Sequence, residues 1–144
     1  MEQKVILLVE DNEDDVALTL RAFRKGHVPA QVEVAHDGVE ALDFLFGVGG
    51  APGRIPDLVL LDLKLPRVDG FEVLRRIRAD ARTKLLPVVI LTSSSEEVDL
   101  LRGYNEGANS YVRKPVDYAD FLEAAGQLSV YWLQRNVPAP PRGG

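Results

Sequence analysis

Short unbroken apolar runs alternate along this chain with longer segments whose apolar residues recur at helical spacing. Residues 5–9, 58–61 and 88–91 are too short for helices and show no polar alternation. Such runs fit strands buried on both faces, as in a parallel sheet. Two further short strands are expected at 31–36 and 110–112. The first helix is expected to start with Asp14 as N-cap, carry its period on Val16, Leu20 and Phe23, and stop at Gly26. A second follows Asp37-Gly38 with Ala41, Leu42, Leu45 and Phe46 inward. A third spans about 70–81, with Phe71, Val73, Leu74 and Ile77 inward and Arg75, Arg76 and Arg78 outward. A Ser/Thr-x-x-Glu start at 93–96 opens a fourth, stopped by Gly107. The last runs from about Asp117 to about Gln134. The Gly/Pro-rich stretch 47–56 reads as a loop, long for a compact βαβ unit.

Strands alternating with helices imply a parallel sheet covered on both faces by right-handed crossovers. Of the two common strand orders, 2-1-3-4-5 is expected, with its switch point between strands 1 and 3. Acidic residues follow both of those strands, and this order makes them neighbours across the crevice.

Composition narrows the chemistry. The 144 residues, 46% apolar and 27% charged, suit one soluble domain with a real core. Residues 1–136 are expected to form it, with 137–144 as a Pro/Gly-rich tail too short for a DNA-binding or enzymatic output module. The net charge of −5 and the absence of a Lys/Arg run argue against nucleic acid as partner. The absence of cysteine excludes disulfides, thiolate metal sites and cysteine nucleophiles. His27 and His36 have no second ligand at metal-binding spacing and are expected at the surface. No run is long enough for a signal peptide or membrane span, so a cytoplasmic protein without membrane contact is expected.

The stretch from Leu58 to Gly70 reads L-V-L-L-D-L-K-L-P-R-V-D-G, and its strand ends on Asp62. Strand 1 runs into Glu10-Asp11-Asn12-Glu13-Asp14-Asp15, five carboxylates in six residues. In the expected order Glu10, Asp11 and Asp62 converge. Three carboxylates that close repel, and either one takes a proton or a cation relieves them. Oxygen-only ligands with room for water suit Mg²⁺. Thr92 ends strand 4 with a hydroxyl and Lys114 ends strand 5 with an ammonium. A nucleophilic carboxylate, a metal, a hydroxyl and an ammonium together can accept a phosphoryl group and neutralise its charge.

With these residues in this order, the chain resembles the receiver domains of two-component response regulators, over roughly residues 4–133. The resemblance implies a flavodoxin-like (CheY-like) fold with Asp62 as phosphoacceptor. It implies Asp11 as a direct Mg²⁺ ligand, Glu10 as a ligand mainly through water, and the Lys64 backbone carbonyl as a further ligand. Thr92 is implied as the switch hydroxyl, Lys114 as the phosphate's partner before a cis Pro115, and Tyr111 as the switch aromatic. The loop 47–56 and the ending Y-W-L-Q-R-N-V-P resemble the stand-alone receivers associated with bacterial phytochromes, which implies a bacteriophytochrome-type histidine kinase as donor. A relay role without direct output is the alternative.

Two other classes share parts of the pattern. A haloacid-dehalogenase-like phosphatase wants a second Asp two residues after the nucleophile, where this chain has Lys64. A flavodoxin wants a Ser/Thr-rich phosphate cradle after strand 1, where this chain is acidic, and the complete set of acids, Thr92 and Lys114 argues against a non-phosphorylated pseudo-receiver. The last helix carries two apolar stripes, Phe121/Ala125/Leu128/Trp132 and Leu122/Gly126/Val130/Leu133. One sheet needs one stripe. The second, with Leu100 and Tyr104 of helix 4, is expected to form a homodimer through helix 4, strand 5 and helix 5. Gly126 is expected at a close backbone approach.

Overall fold

The computed structural model describes residues 3–26 and 30–140. His27 therefore lies outside the described residues, as does the end of the tail from 141. The elements are β1 (Lys4–Val9), α1 (Glu13–Lys25), β2 (Ala30–Ala35), α2 (Gly38–Phe46), β3 (Leu58–Leu61), α3 (Gly70–Ala79), β4 (Val88–Thr92), α4 (Glu97–Asn105), β5 (Ser110–Arg113) and α5 (Tyr118–Val130). A π-helical turn, Tyr131–Arg135, continues α5. The sheet is parallel throughout, in the order β2-β1-β3-β4-β5.

The period-two geometry of each strand divides the apolar runs between two cores. Leu7, Val9, Val59, Leu61, Val88 and Ile90 face α2 and α3, where Ala41, Leu45, Phe71, Leu74 and Ile77 meet them. Ile6, Leu8, Leu58, Leu60, Val89 and Leu91 face α1 and α5, meeting Ala22, Phe23, Phe121, Ala125 and Leu133. This is why the three strand runs carry no alternation: both of their faces are interior.

Several local expectations change. Asn12, not Asp14, caps α1, its side chain accepting from the Asp15 amide. A neutral amide and a carboxylate cap equally well, so composition did not discriminate between them. Leu18 rather than Leu20 packs toward the core beside Val16. The start of α4 is not a capping box, because Glu96 occupies the N-cap position and makes no side-chain cap bond. The loop at 47–56 folds back onto α2 and β2. Its Arg54 amide donates to Phe44 O at 2.8 Å and its guanidinium pairs with Glu33 of β2 at 3.1 Å. Gly53 passes so near α2 that a Cβ there would lie 2.0 Å from Leu45 O.

The largest correction concerns the end of the chain. Leu133 was expected on a dimer surface and is instead 9% exposed, packed with Phe121 and Ala125. An α-helix drifts about 40° over each four residues. The π turn rotates less per residue, so it cancels that drift and returns Leu133 to the line of Phe121, Ala125 and Ser129. Asn136 N donates to Tyr131 O, five residues back. Gly126 is likewise not at a close approach, since a Cβ there would meet nothing within 4 Å. It lines an open apolar groove between α1 and α5 with Ala22, Leu122 and Val130. Among the described residues no helix is long and apolar enough to cross a membrane.

Candidate functional site

Glu10 and Asp62 each stand one residue beyond a strand and stay in the ladder. The Glu10 amide donates to Ala35 O at 2.9 Å, and the Asp62 amide to Val9 O at 3.0 Å. The backbone thus holds both carboxyl groups at the carboxyl edge of the sheet, only 3% and 7% exposed respectively. Asp11 follows in the exposed turn before α1. Carboxylate oxygens of Glu10, Asp11 and Asp62 lie within 4.8 Å of one another. Three hard oxygen donors that close, one open to solvent, fit a divalent cation that keeps part of its water.

Lys114 closes the site from the far edge. Its amide donates to Thr92 O at 2.7 Å, tying it to β4. Its side chain then crosses β4 and β3, and Nζ donates to Glu10 Oε1, to Asp15 Oδ2 at 2.8 Å and to Asp62 Oδ2 at 3.0 Å. An ammonium has three N–H bonds, and all three have a carboxylate partner.

The two buried acids divide the remaining charge between them. Burial pushes the Glu10 carboxyl up to about 7, against the hydrogen bond from Lys114 and with help from the Asp62 charge. Burial acts upward on Asp62 too, but the charge and hydrogen bond of Lys114 outweigh it and hold Asp62 below the usual carboxylate range. Lys114 is raised: burial opposes its charge, and bonds to Asp15 and Glu10 with the Asp62 charge more than offset that. Of the two buried acids, Asp62 is thus the one whose charged form the site favours.

The chain after Asp62 is fastened at several points. Asp62 Oδ1 accepts from the Lys64 amide at 3.2 Å, while the Lys64 side chain points to solvent. A Cβ at Gly70 would lie 2.2 Å from Asp62 O, so only glycine lets α3 start against the acid's own backbone. Arg67, at φ 67°, turns its Nε and Nη2 onto Asp37 Oδ2 at 3.0 and 2.8 Å. Asp37 also caps α2 through Oδ1, so the loops after β2 and β3 are joined.

Thr92 ends β4 fully buried, and its hydroxyl accepts from the Ser94 amide at 3.4 Å. Tyr111 is half-buried on β5, with its hydroxyl donating to Ser94 O at 3.3 Å. Ser94 Oγ in turn donates to Asp99 of α4 at 2.7 Å. The Lys114–Pro115 bond, expected cis, is trans, as is every peptide bond among the described residues. A bond before proline prefers trans by only about 0.5–1 kcal/mol, so its surroundings decide, and Lys114 reaches the acids without the cis form.

Sequence reasoning did not single out Asp15, Asp37, Arg67 or Ser94. For Asp15 a signal existed, since the first turn of a helix after β1 lies over the same strand end as Glu10. For the Asp37–Arg67 pair no local signal existed: 30 residues separate the partners.

A doubly wound parallel sheet with acids at its β1/β3 switch point and a lysine reaching them from β5 defines a narrow class. The family model for the response regulator receiver domain matches residues 6–126. The chain belongs to that family, whose members act as signalling domains rather than as classical enzymes. It is 42% identical over 137 residues, 95% of this chain and 88% of the relative, to the probable methanogenesis regulatory protein FilR2 of Methanothrix harundinacea. It is 35% identical to response regulator Rcp1 of Synechocystis sp., covering 94% of each. The Mn²⁺-bound form of Rcp1 superposes with TM-score 0.86 at 33% identity, over 95% of this chain and 99% of that one. The phosphorylated cyanobacterial phytochrome response regulator RcpA superposes with TM-score 0.87 at 34% identity, over 96% and 100%. The bacteriophytochrome response regulator AtBRR does so with TM-score 0.72 at 49% identity, over 92% and 96%.

Proposed function

We propose that this chain receives a phosphoryl group on Asp62 from a sensor histidine kinase. The observation that carries the reading is the convergence of a buried, ionised Asp62, its two acidic neighbours and the Lys114 ammonium. An Asp62 carboxylate oxygen attacks the phosphorus of a phosphohistidine, a P–O bond forms, and the P–N bond breaks with its electrons returning to the imidazole. The ammonium of Lys114 neutralises phosphoryl oxygens as they arrive. Glu10, Asp11, Asp62 and the Lys64 carbonyl would hold a divalent cation, read as Mg²⁺, which supplies further neutralisation of those oxygens. The buried hydroxyl of Thr92, at the end of the strand that pairs with β3, reports the event through Ser94 to Tyr111 and α4.

The names of RcpA and AtBRR support a phytochrome-type kinase as the donor, and AtBRR has the higher identity with this chain. This reading also includes self-association through a surface of the domain. Val98, Leu101 and Tyr104 are exposed on α4 and form the self-association face of this reading, with half-buried Leu100 beneath them and Leu133 excluded. Leu122 and Val130 line the separate α1–α5 groove.

Acetyl phosphate with Mg²⁺, followed by mass spectrometry and light scattering, tests the proposal. The wild-type protein should gain one phosphoryl group and Asp62→Asn none. Equal labelling of Asp62→Asn would remove the phosphoacceptor assignment, and an unchanged monomer mass on labelling would remove phosphorylation-driven self-association.

A further inference from the structure

Asp15 holds the same ammonium as Glu10 and Asp62, yet it stands apart from the carboxylates grouped for a cation. Its Oδ2 is 2.8 Å from Lys114 Nζ, while the group within mutual reach is Glu10, Asp11 and Asp62. The other acids of its run differ from it. Glu13 and Asp14 are exposed and make no ion pair among the described residues, whereas the Asp15 side chain is 23% exposed. Its backbone is also fixed at both ends. The amide donates to Asn12 Oδ1 at 3.1 Å, and the carbonyl accepts from the buried Thr19 hydroxyl at 2.8 Å.

Lys114 must hold its charge at the end of a flexible four-carbon stem. Two of its three partners have other duties in the proposed reaction: Asp62 forms the bond to phosphorus, and Glu10 belongs to the cation's ligands. With both withdrawn, Asp15 is the remaining carboxylate anchor. We propose that Asp15 is a positioning residue for phosphoryl transfer, holding the Lys114 ammonium in place while its other two N–H bonds turn to the phosphoryl oxygens. This rests on the phosphoacceptor role of Asp62. The anchor is suited to its task because it is built on the first turn of α1 rather than on a strand-end loop, so it stays put when the loops adjust.

A double-mutant cycle on the full chain tests it. Initial labelling rates with acetyl phosphate are measured against Mg²⁺ concentration for wild type, Asp15→Asn, Asp15→Glu, Lys114→Ala and Asp15→Asn/Lys114→Ala. Misplacing a charge at a reacting centre is expected to slow Asp15→Asn about tenfold in maximal rate. Its half-saturating Mg²⁺ should stay within about twofold of wild type, because Asp15 is outside the ligand group. Asp15→Glu should recover most of the rate, and Asp15→Asn should cost nothing further in the Lys114→Ala background. A second readout does not depend on turnover. In the Mg²⁺-loaded protein, the Lys114 ammonium protons should exchange with solvent faster in Asp15→Asn than in wild type by ¹⁵N NMR. An undiminished rate, an equal loss in both backgrounds, or a fall in Mg²⁺ affinity that accounts for the slowing would each overturn the proposal. A wild type that takes no label at all would instead remove the phosphoacceptor reading on which it stands.

Discussion

The carboxyl edge of the sheet and the far end of α5 are built from opposite materials. At the sheet edge the buried charges are directed by hydrogen bonds: Lys114 to three carboxylates, and Asp62 to the Lys64 amide as well. At the end of α5 the contacts are apolar and undirected, and Leu133, Trp132 and Leu128 pack against the core with Phe121 and Ala125. Directed bonds leave a signature in sequence because each needs a particular residue type at a particular strand end. Apolar packing accepts any residue of about the right size, so its facing is decided by helix geometry. The acids and Lys114 were accordingly brought together as their order implied, while Leu133 was assigned to the wrong face.

The comparison breaks first at Leu133. Leu133→Glu should destabilise the fold by about 4 kcal/mol, combining lost burial with a charge forced into an apolar site. A fall in Tm of roughly 10 °C or more is expected for a domain of this size. Tyr131→Glu, at a side chain 51% exposed, should change stability by less than about 0.5–1 kcal/mol. Equal melting of the two variants would mean that the π turn does not set the facing of this segment.

At the other end, the pH dependence of the metal-free protein separates Glu10 from Asp62. The folded value of Glu10, about 7, lies above its ordinary 4.5, so the fold favours its protonated form. The stability it contributes is complete below 4.5 and lost as pH rises through about 7. Asp62 is lowered and contributes the opposite way, its stability present above 3.8 and lost only in acid. In EDTA, Tm should therefore decline by a few degrees from about pH 5 to 8, and Glu10→Gln should flatten that decline. The same slope in both proteins would relocate the titrating group.

The smallest effect sharpens the contrast within α5. Nothing lies within 4 Å of a Cβ built on Gly126, so Gly126→Ala should gain up to about 1 kcal/mol from helix propensity alone. A loss of stability on thermal melting would show that the groove wall needs glycine there after all.

Much of the fold was legible in the chain. Unbroken apolar runs located three strands and the short segments between helices the other two, and the placement of acids after strands 1 and 3 selected the strand order that the sheet adopts. The helix inner faces at Phe71, Val73, Leu74 and Ile77 were also correct. Boundaries were less so, because Asn12 and Asp14 are equally good caps and only the neighbouring backbone chooses between them.

What the sequence by itself determined was the set of strand-end groups, since a strand buried on both faces leaves only its ends for polar residues. Glu10, Asp62 and Thr92 could stand nowhere else once the runs before them were interior, whereas Lys114 follows the half-buried edge strand β5. Tertiary structure alone decided which partners those groups found. Asp15 meets Lys114 across 99 residues, and Arg67 meets Asp37 across 30. Neither pairing has a local cause, because an ion pair depends on distance in space and the chain sets that distance only after the sheet has closed. The same holds for Leu133: a single wider turn after Val130 moves it from the surface to the core, and the residues of that turn, read one by one, are ordinary helix formers.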